Sequence, residues 1–129
     1  MEKPNNIVRI PTSLSGSFYK FWLRFLAPIH NLTKREIEVA TALLKIRNEL
    51  SKSIKDNDIL EKVVFSEDTK QKVREMCNIK KAHFQVVLGN LRKSKLIVNG
   101  KFNPKFLPNL NKDSNYFQLL LLFELKENE

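Results

Sequence analysis

Between Ser17 and Ala27 the apolar positions Phe18, Phe21, Trp22 and Phe25 recur at helical spacing and continue to Ile29, with Lys20 and Arg24 on the opposite side. That period predicts a helix whose aromatic stripe faces the core. Pro28 is expected to stop it, because proline removes an N–H and crowds the preceding turn. Leu23 lies on the outward side, so the helix asks for a cover: a dimer partner or the chain's own N-terminal arm. That arm, residues 1–13, mixes prolines and asparagines around Ile7, Val8 and Ile10 and reads as extended, with a short strand possible.

The next start signal is sharper. Thr33 followed three residues later by Glu36 spells a capping box, and Leu32 is placed to staple onto Ile37. A helix is predicted from Lys34 to about Leu50. It carries two apolar stripes, Ile37, Ala40 and Leu44 on one side and Val39, Leu43, Ile46 and Leu50 on another, which places it in the middle of the domain. Ser51–Asp58 reads as a loop, Ile59–Phe65 as a helical turn or a strand, and a further helix starts at Asp68 or Thr69 and ends near Cys77.

Val73 and Met76 or Cys77 then face inward, Asn78 and Ile79 make a turn, and Phe84, Val87, Leu88 and Leu91 form the buried stripe of the following helix. Leu96, Ile97 and Val98 read as a strand, and Asn99-Gly100 is a strong hairpin dipeptide. A closing strand is predicted from Tyr116 to Leu125, with Phe117, Leu119, Leu121, Phe123 and Leu125 on one face. Helix, turn, helix and hairpin in this order give the expected fold: mainly α with a small β-hairpin wing, a winged helix-turn-helix. At 129 residues the chain has room for one such domain, residues 14–125, between the arm and a disordered tail at 126–129.

Charge sharpens the picture because it is polarised. From Met76 to Lys112 there is no acidic residue, while Lys80, Lys81, Arg92, Lys93, Lys95, Lys101, Lys105 and Lys112 contribute eight of the formal +9. The last 17 residues carry −3. Polarised positive charge suits a polyanion. The single cysteine, Cys77, cannot form an internal disulfide, and His30 and His83 are too far apart in sequence to suggest a metal site, so no metal or cofactor is expected. No signal peptide or membrane-length apolar run is present, so a cytoplasmic setting without membrane contact is expected.

From Ile79 to Ile97 the sequence resembles winged helix-turn-helix regulators of the MarR-like and related bacterial and phage families. The residues that carry the likeness are Ile79, Phe84, Val87, Leu88, Leu91 and Leu96-Ile97. Where the family writes glycine, this chain has Lys95. Asn103-Pro104 is similar to the Asn-Pro of some plasmid and phage replication initiators. The resemblance implies a DNA-binding protein of a bacterial nucleoid or phage-infected host, a transcriptional regulator or replication accessory.

With the buried stripe inward, the opposite face of residues 80–93 presents Ala82, Gln85, Val86, Gly89 and Lys93, flanked by Lys81, His83, Asn90 and Arg92. Gln85 and Asn90 suit bidentate bonds to adenine, Ala82 and Val86 suit a thymine methyl, and Lys80, Lys81, Arg92, Lys93 and Lys95 suit phosphates. His83 is an exposed polar residue near them. Lys101 and Lys105 flank the hairpin and reach toward the backbone or minor groove. The expected partner is double-stranded DNA, with an A/T-leaning site, and a homodimer is expected through the Phe18, Phe21, Trp22, Phe25 helix or the 116–125 strand. The alternative is a protein-docking module, because Ala82, Val86 and Gly89 make the exposed helix face smooth and apolar. Paired carboxylates, nucleophile motifs and phosphate loops are absent from the sequence, so an enzyme is not expected.

Overall fold

The computed structural model describes residues 7–110, 114–119 and 123–127. Among these it has five α-helices, α1 (Phe18–His30), α2 (Lys34–Ser51), α3 (Asn57–Val64), α4 (Glu67–Cys77) and α5 (Lys81–Lys93). A two-stranded antiparallel hairpin follows, β1 (Ile97–Val98) and β2 (Lys101–Phe102), and then a short 3₁₀ helix, Pro104–Phe106. The chain is therefore mainly helical with a small hairpin.

α2 is the central element and packs against all four other helices. Its start is the expected capping box: Thr33 Oγ1 accepts the Glu36 N–H at 3.3 Å, and Glu36 Oε1 accepts the Thr33 N–H at 3.0 Å. Two of the helix's unpaired N-terminal donor positions are met reciprocally. Val39, Ala40, Ala42, Leu43 and Leu44 are buried, so the helix is apolar over much of its surface because it is surrounded. Asp56 caps α3 through bonds to the Asp58 and Ile59 N–H groups, and Ser66 caps α4 through the Thr69 N–H. The segment left open as turn or strand around Ile59–Phe65 is helical.

α1 departs from its expected register. Its buried stripe is Tyr19, Leu23, Leu26 and His30, whereas Phe25 and Ile29 are 47% and 70% exposed. Leu23, expected outside, is fully buried. Pro28 does not stop the helix. It lies inside the last turn on the exposed side, and the helix continues until Asn31 adopts a left-handed conformation, φ 54°, as its C-cap. Burial of Leu26 and His30 draws the chain past the proline: the His30 Nδ1–H donates to the Ser94 carbonyl at 2.8 Å, and its ring meets Phe106 edge-on. Part of the helix's outer side is covered from within the chain, by a residue other than the N-terminal arm: Phe117 stacks edge-on against Phe18 and Trp22. The Trp22 indole N–H donates to the Phe106 carbonyl at 2.9 Å.

The predicted closing strand is not observed. Residues 116–119 and 123–125 lie in no strand, and 120–122 fall outside the described residues. Phe117 is spent on α1, which pulls the segment away from the hairpin. The arm from Ile7 to Ser13 is exposed and forms no strand, and Lys126 and Glu127 of the predicted tail are exposed without regular structure.

The hairpin does form where Asn99-Gly100 predicted it. Both turn residues have positive φ, 56° and 72°, which is the type I′ pattern, and Ile97 pairs with Phe102. Two residues per strand cannot hold themselves in water. Ile97 and Phe102 anchor the hairpin in the core, and Glu61, 2% exposed, binds the Phe102 N–H while pairing with Arg47 of α2 at 2.9 Å.

Candidate nucleic-acid interface

α5 is held by its inward stripe. Phe84, Val87, Leu88 and Leu91 are buried, as the periodicity predicts, and each contributes about 1.5–3 kcal/mol of apolar burial. The helix is entered through a tight turn. Asn78 caps α4 in the left-handed region, φ 50°, and Ile79 plugs the core. Arg35 of α2 clamps this turn by donating to the Asn78 carbonyl at 3.0 Å and to Glu38 at 2.7 Å. Of the residues expected inward from α4, Val73 is buried, Cys77 is half-buried and Met76 is 57% exposed. Burial pushes the Cys77 thiol pKa up, the opposite of what a nucleophile needs.

The outward face of α5 carries Lys81, Ala82, His83, Gln85, Val86, Arg92 and Lys93, all exposed, with Gly89 half-buried among them. No acid lies in the first turn, and the N-cap, Lys80, offers no side-chain acceptor, so the first N–H groups of the helix face outward unclaimed by any cap. Arg92 and Lys93 occupy the last turn, where positive charge also complements the helix dipole. Gly89 has open space where a Cβ would stand. Nothing inside the molecule therefore requires glycine there, although glycine in a helix costs about 0.5–1 kcal/mol relative to alanine.

Two of the predicted contact residues are otherwise engaged. Asn90 donates its side-chain amide to Glu36 Oε2 at 3.1 Å, tying α5 to the capping box of α2, which leaves Gln85 as the exposed amide on this face. Lys101 pairs with Asp58 at 2.6 Å, so the hairpin leans on α3. The pair is solvent-exposed; its hydrogen bond and charge lower the Asp58 pKa and raise that of Lys101. Periodicity places a residue on a face and is blind to such partners distant in the same chain.

Lys80, Lys81, Arg92, Lys93, Lys95 and Lys105 form no ion pair among the described residues. Lys105 lies over the Phe106 ring at 5.7 Å, and Lys112 is outside the described residues. The sequence reading missed Asn103. Its side chain accepts the Lys105 N–H and donates to the Lys95 carbonyl, each at 3.1 Å. Its position before a proline was the available signal, since asparagine there commonly starts a turn.

Of the proposed dimer residues, Phe18 and Trp22 are partly buried within the chain, Phe21 is partly buried, and Phe25 stays exposed. No described helix is long and apolar enough to cross a membrane. Among the described residues no three His, Cys, Asp or Glu side chains gather as a metal site. No family model, curated protein or solved structure matches this chain.

Proposed function

We propose that the protein binds double-stranded DNA as a winged helix, with α5 as the recognition helix and the hairpin as the wing, in a small phage- or plasmid-type regulator or replication accessory. The observation that carries this reading is the face of α5. It is an exposed helix surface without acids, with Gln85, Val86 and Ala82 outward and flanked by cations that no carboxylate among the described residues pairs with. An α-helix fits the major groove, where an amide reads adenine and small apolar groups meet thymine methyls. Six cations without internal partners supply the electrostatic part of the affinity.

Gly89 supports the same surface. A glycine at a helical position where alanine would be more stable, with free space beyond it, fits a face that something outside the molecule approaches closely.

The test is fluorescence anisotropy on labelled random duplex DNA across a salt series. Log affinity is expected to fall against log salt with a slope of about −5. The double substitution Lys81→Glu, Arg92→Glu should weaken binding at least about a hundredfold at low salt and leave circular dichroism unchanged. Undetectable or salt-independent binding refutes the reading. If charge reversal has no effect on function while Val86→Asp abolishes it, α5 docks a protein instead.

A further inference from the structure

Four non-glycine residues among those described have positive φ: Asn31, Asn78, Asn99 and Lys95. Asparagine is the side chain, after glycine, that tolerates the left-handed region best, so three of the four sites are filled as backbone sterics would choose. Lys95 is not. It stands one residue beyond the C-cap Ser94 of α5, φ 67°, where glycine ends helices at least cost. Its side chain is exposed and has no hydrogen bond or ion pair among the described residues that would repay the strain.

Its backbone, by contrast, is fully held. The Lys95 N–H donates to the Arg92 carbonyl at 3.0 Å, and its carbonyl accepts from Asn103 Nδ2 at 3.1 Å. Oδ1 of the same amide accepts the Lys105 N–H at 3.1 Å, and the Asn103 N–H donates to the Leu96 carbonyl at 2.9 Å. One asparagine thus pins the main chain of two unpaired lysines, one on each flank of the hairpin. Only a side-chain amide of this length does both tasks: aspartate lacks the donor, and serine lacks the reach to Lys95.

We propose that Asn103 is a positioning residue that holds Lys95 and Lys105 together as a two-pronged grip on the DNA phosphate backbone, an inference that rests on the DNA-binding reading above. Fixing the main chain from which both side chains spring removes part of the ordering cost that a flexible segment meets on binding. It also explains a lysine where glycine would be easier: the charge is needed at that point, and the backbone is clamped to carry it.

The experiment is the same salt series with five variants, alongside thermal unfolding. Lys95→Gly should raise Tm by about 3 °C through relief of the left-handed strain, yet lower affinity roughly five- to tenfold at 0.1 M salt and reduce the slope by about one. Asn103→Ala keeps both charges but releases both main-chain attachments, so it should lower affinity roughly five- to tenfold at 0.1 M salt with a smaller change of slope than Lys95→Gly. Asn103→Ser, which retains an acceptor for the Lys105 N–H, should fall between Asn103→Ala and the unaltered protein. In the Asn103→Ala background, adding Lys105→Ala should cost less than Lys105→Ala alone. If unaltered protein binds duplex DNA and Lys95→Gly keeps its slope or Asn103→Ala keeps its affinity, the grip is refuted and the DNA-binding reading stands. If unaltered protein does not bind, both fall.

Discussion

α1 and α5 are each 13 residues long, and each buries four side chains. Only one of them could be oriented from its sequence. In α5 the apolar residues Phe84, Val87, Leu88 and Leu91 form a single stripe, with Lys, His, Gln and Arg elsewhere, so hydrophobic periodicity has one solution. In α1, Phe18, Tyr19, Phe21, Trp22, Leu23, Phe25, Leu26 and Ile29 spread over more than half of the turn around the axis, opposite Lys20 and Arg24, and several phases within so wide an arc satisfy the same period. The largest side chains suggested the aromatic stripe. Packing selected Leu23 and Leu26 instead, because a close approach to α2 favours compact aliphatic groups, and left the aromatics to be half-covered by Phe117. So wide an apolar arc reveals that the helix will be covered, and hides by what.

The contrast can be broken most forcefully in the core. Leu23→Ala and Phe84→Ala each remove a fully buried side chain, and each should cost about 3–5 kcal/mol in chemical denaturation. Phe25→Ala, on the opposite side of α1, should cost under about 1 kcal/mol. Comparable losses for Leu23→Ala and Phe25→Ala would mean that the register of α1 is wrong. A smaller effect separates the outward faces. Gly89→Ala adds a methyl to open space and should stabilise the fold by about 0.5–1 kcal/mol, while weakening duplex binding if the α5 face is the contact surface.

The smallest effect concerns the hairpin tether. Asp58 has a lowered pKa in the folded protein, so its contribution is present above the unfolded value near 3.8 and is lost as pH falls through the lowered folded value. Lys101 has the opposite sign. Its contribution is present below 10.5 and is lost as pH rises through its raised value. Hydrogen exchange at the Lys101 and Gly100 amides should therefore be faster in Asp58→Asn than in the unaltered protein, and only between those limits. A variant indistinguishable from the unaltered protein at neutral pH would show that the pair does no tethering.

Local rules were legible wherever one or two residues decide the backbone. Thr33 and Glu36 announced α2, Asn99-Gly100 announced the hairpin, and the stripe of α5 announced the helix after the turn. What the sequence could not show were meetings across the fold. Asn90 reads as a free amide until Glu36 is seen beside it, and Lys101 reads as a free cation until Asp58 is. Pro28 reads as a stop unless one knows that Leu26 and His30 are buried on either side of it. The stretch from Tyr116 to Leu125 alternates like a strand in part, and Phe117 found an aromatic pair on α1 before any edge of the two-residue strands.

Glu61 gives the hairpin an unusual mechanical character. Its carboxylate joins Arg47 of α2 to the Phe102 N–H, so the base of β2 is bolted to the helical body, while the turn residues Asn99 and Gly100 are exposed and, among the described ion pairs, the surface Lys101–Asp58 pair alone ties their end of the hairpin to it. Lengthening the chain between Val98 and Lys101 should therefore extend reach while weakening that surface pair and adding a loop-closure cost that grows slowly with length. The hairpin is a socket for exchangeable tips, and a library of insertions there would vary what the domain touches without asking the core to refold.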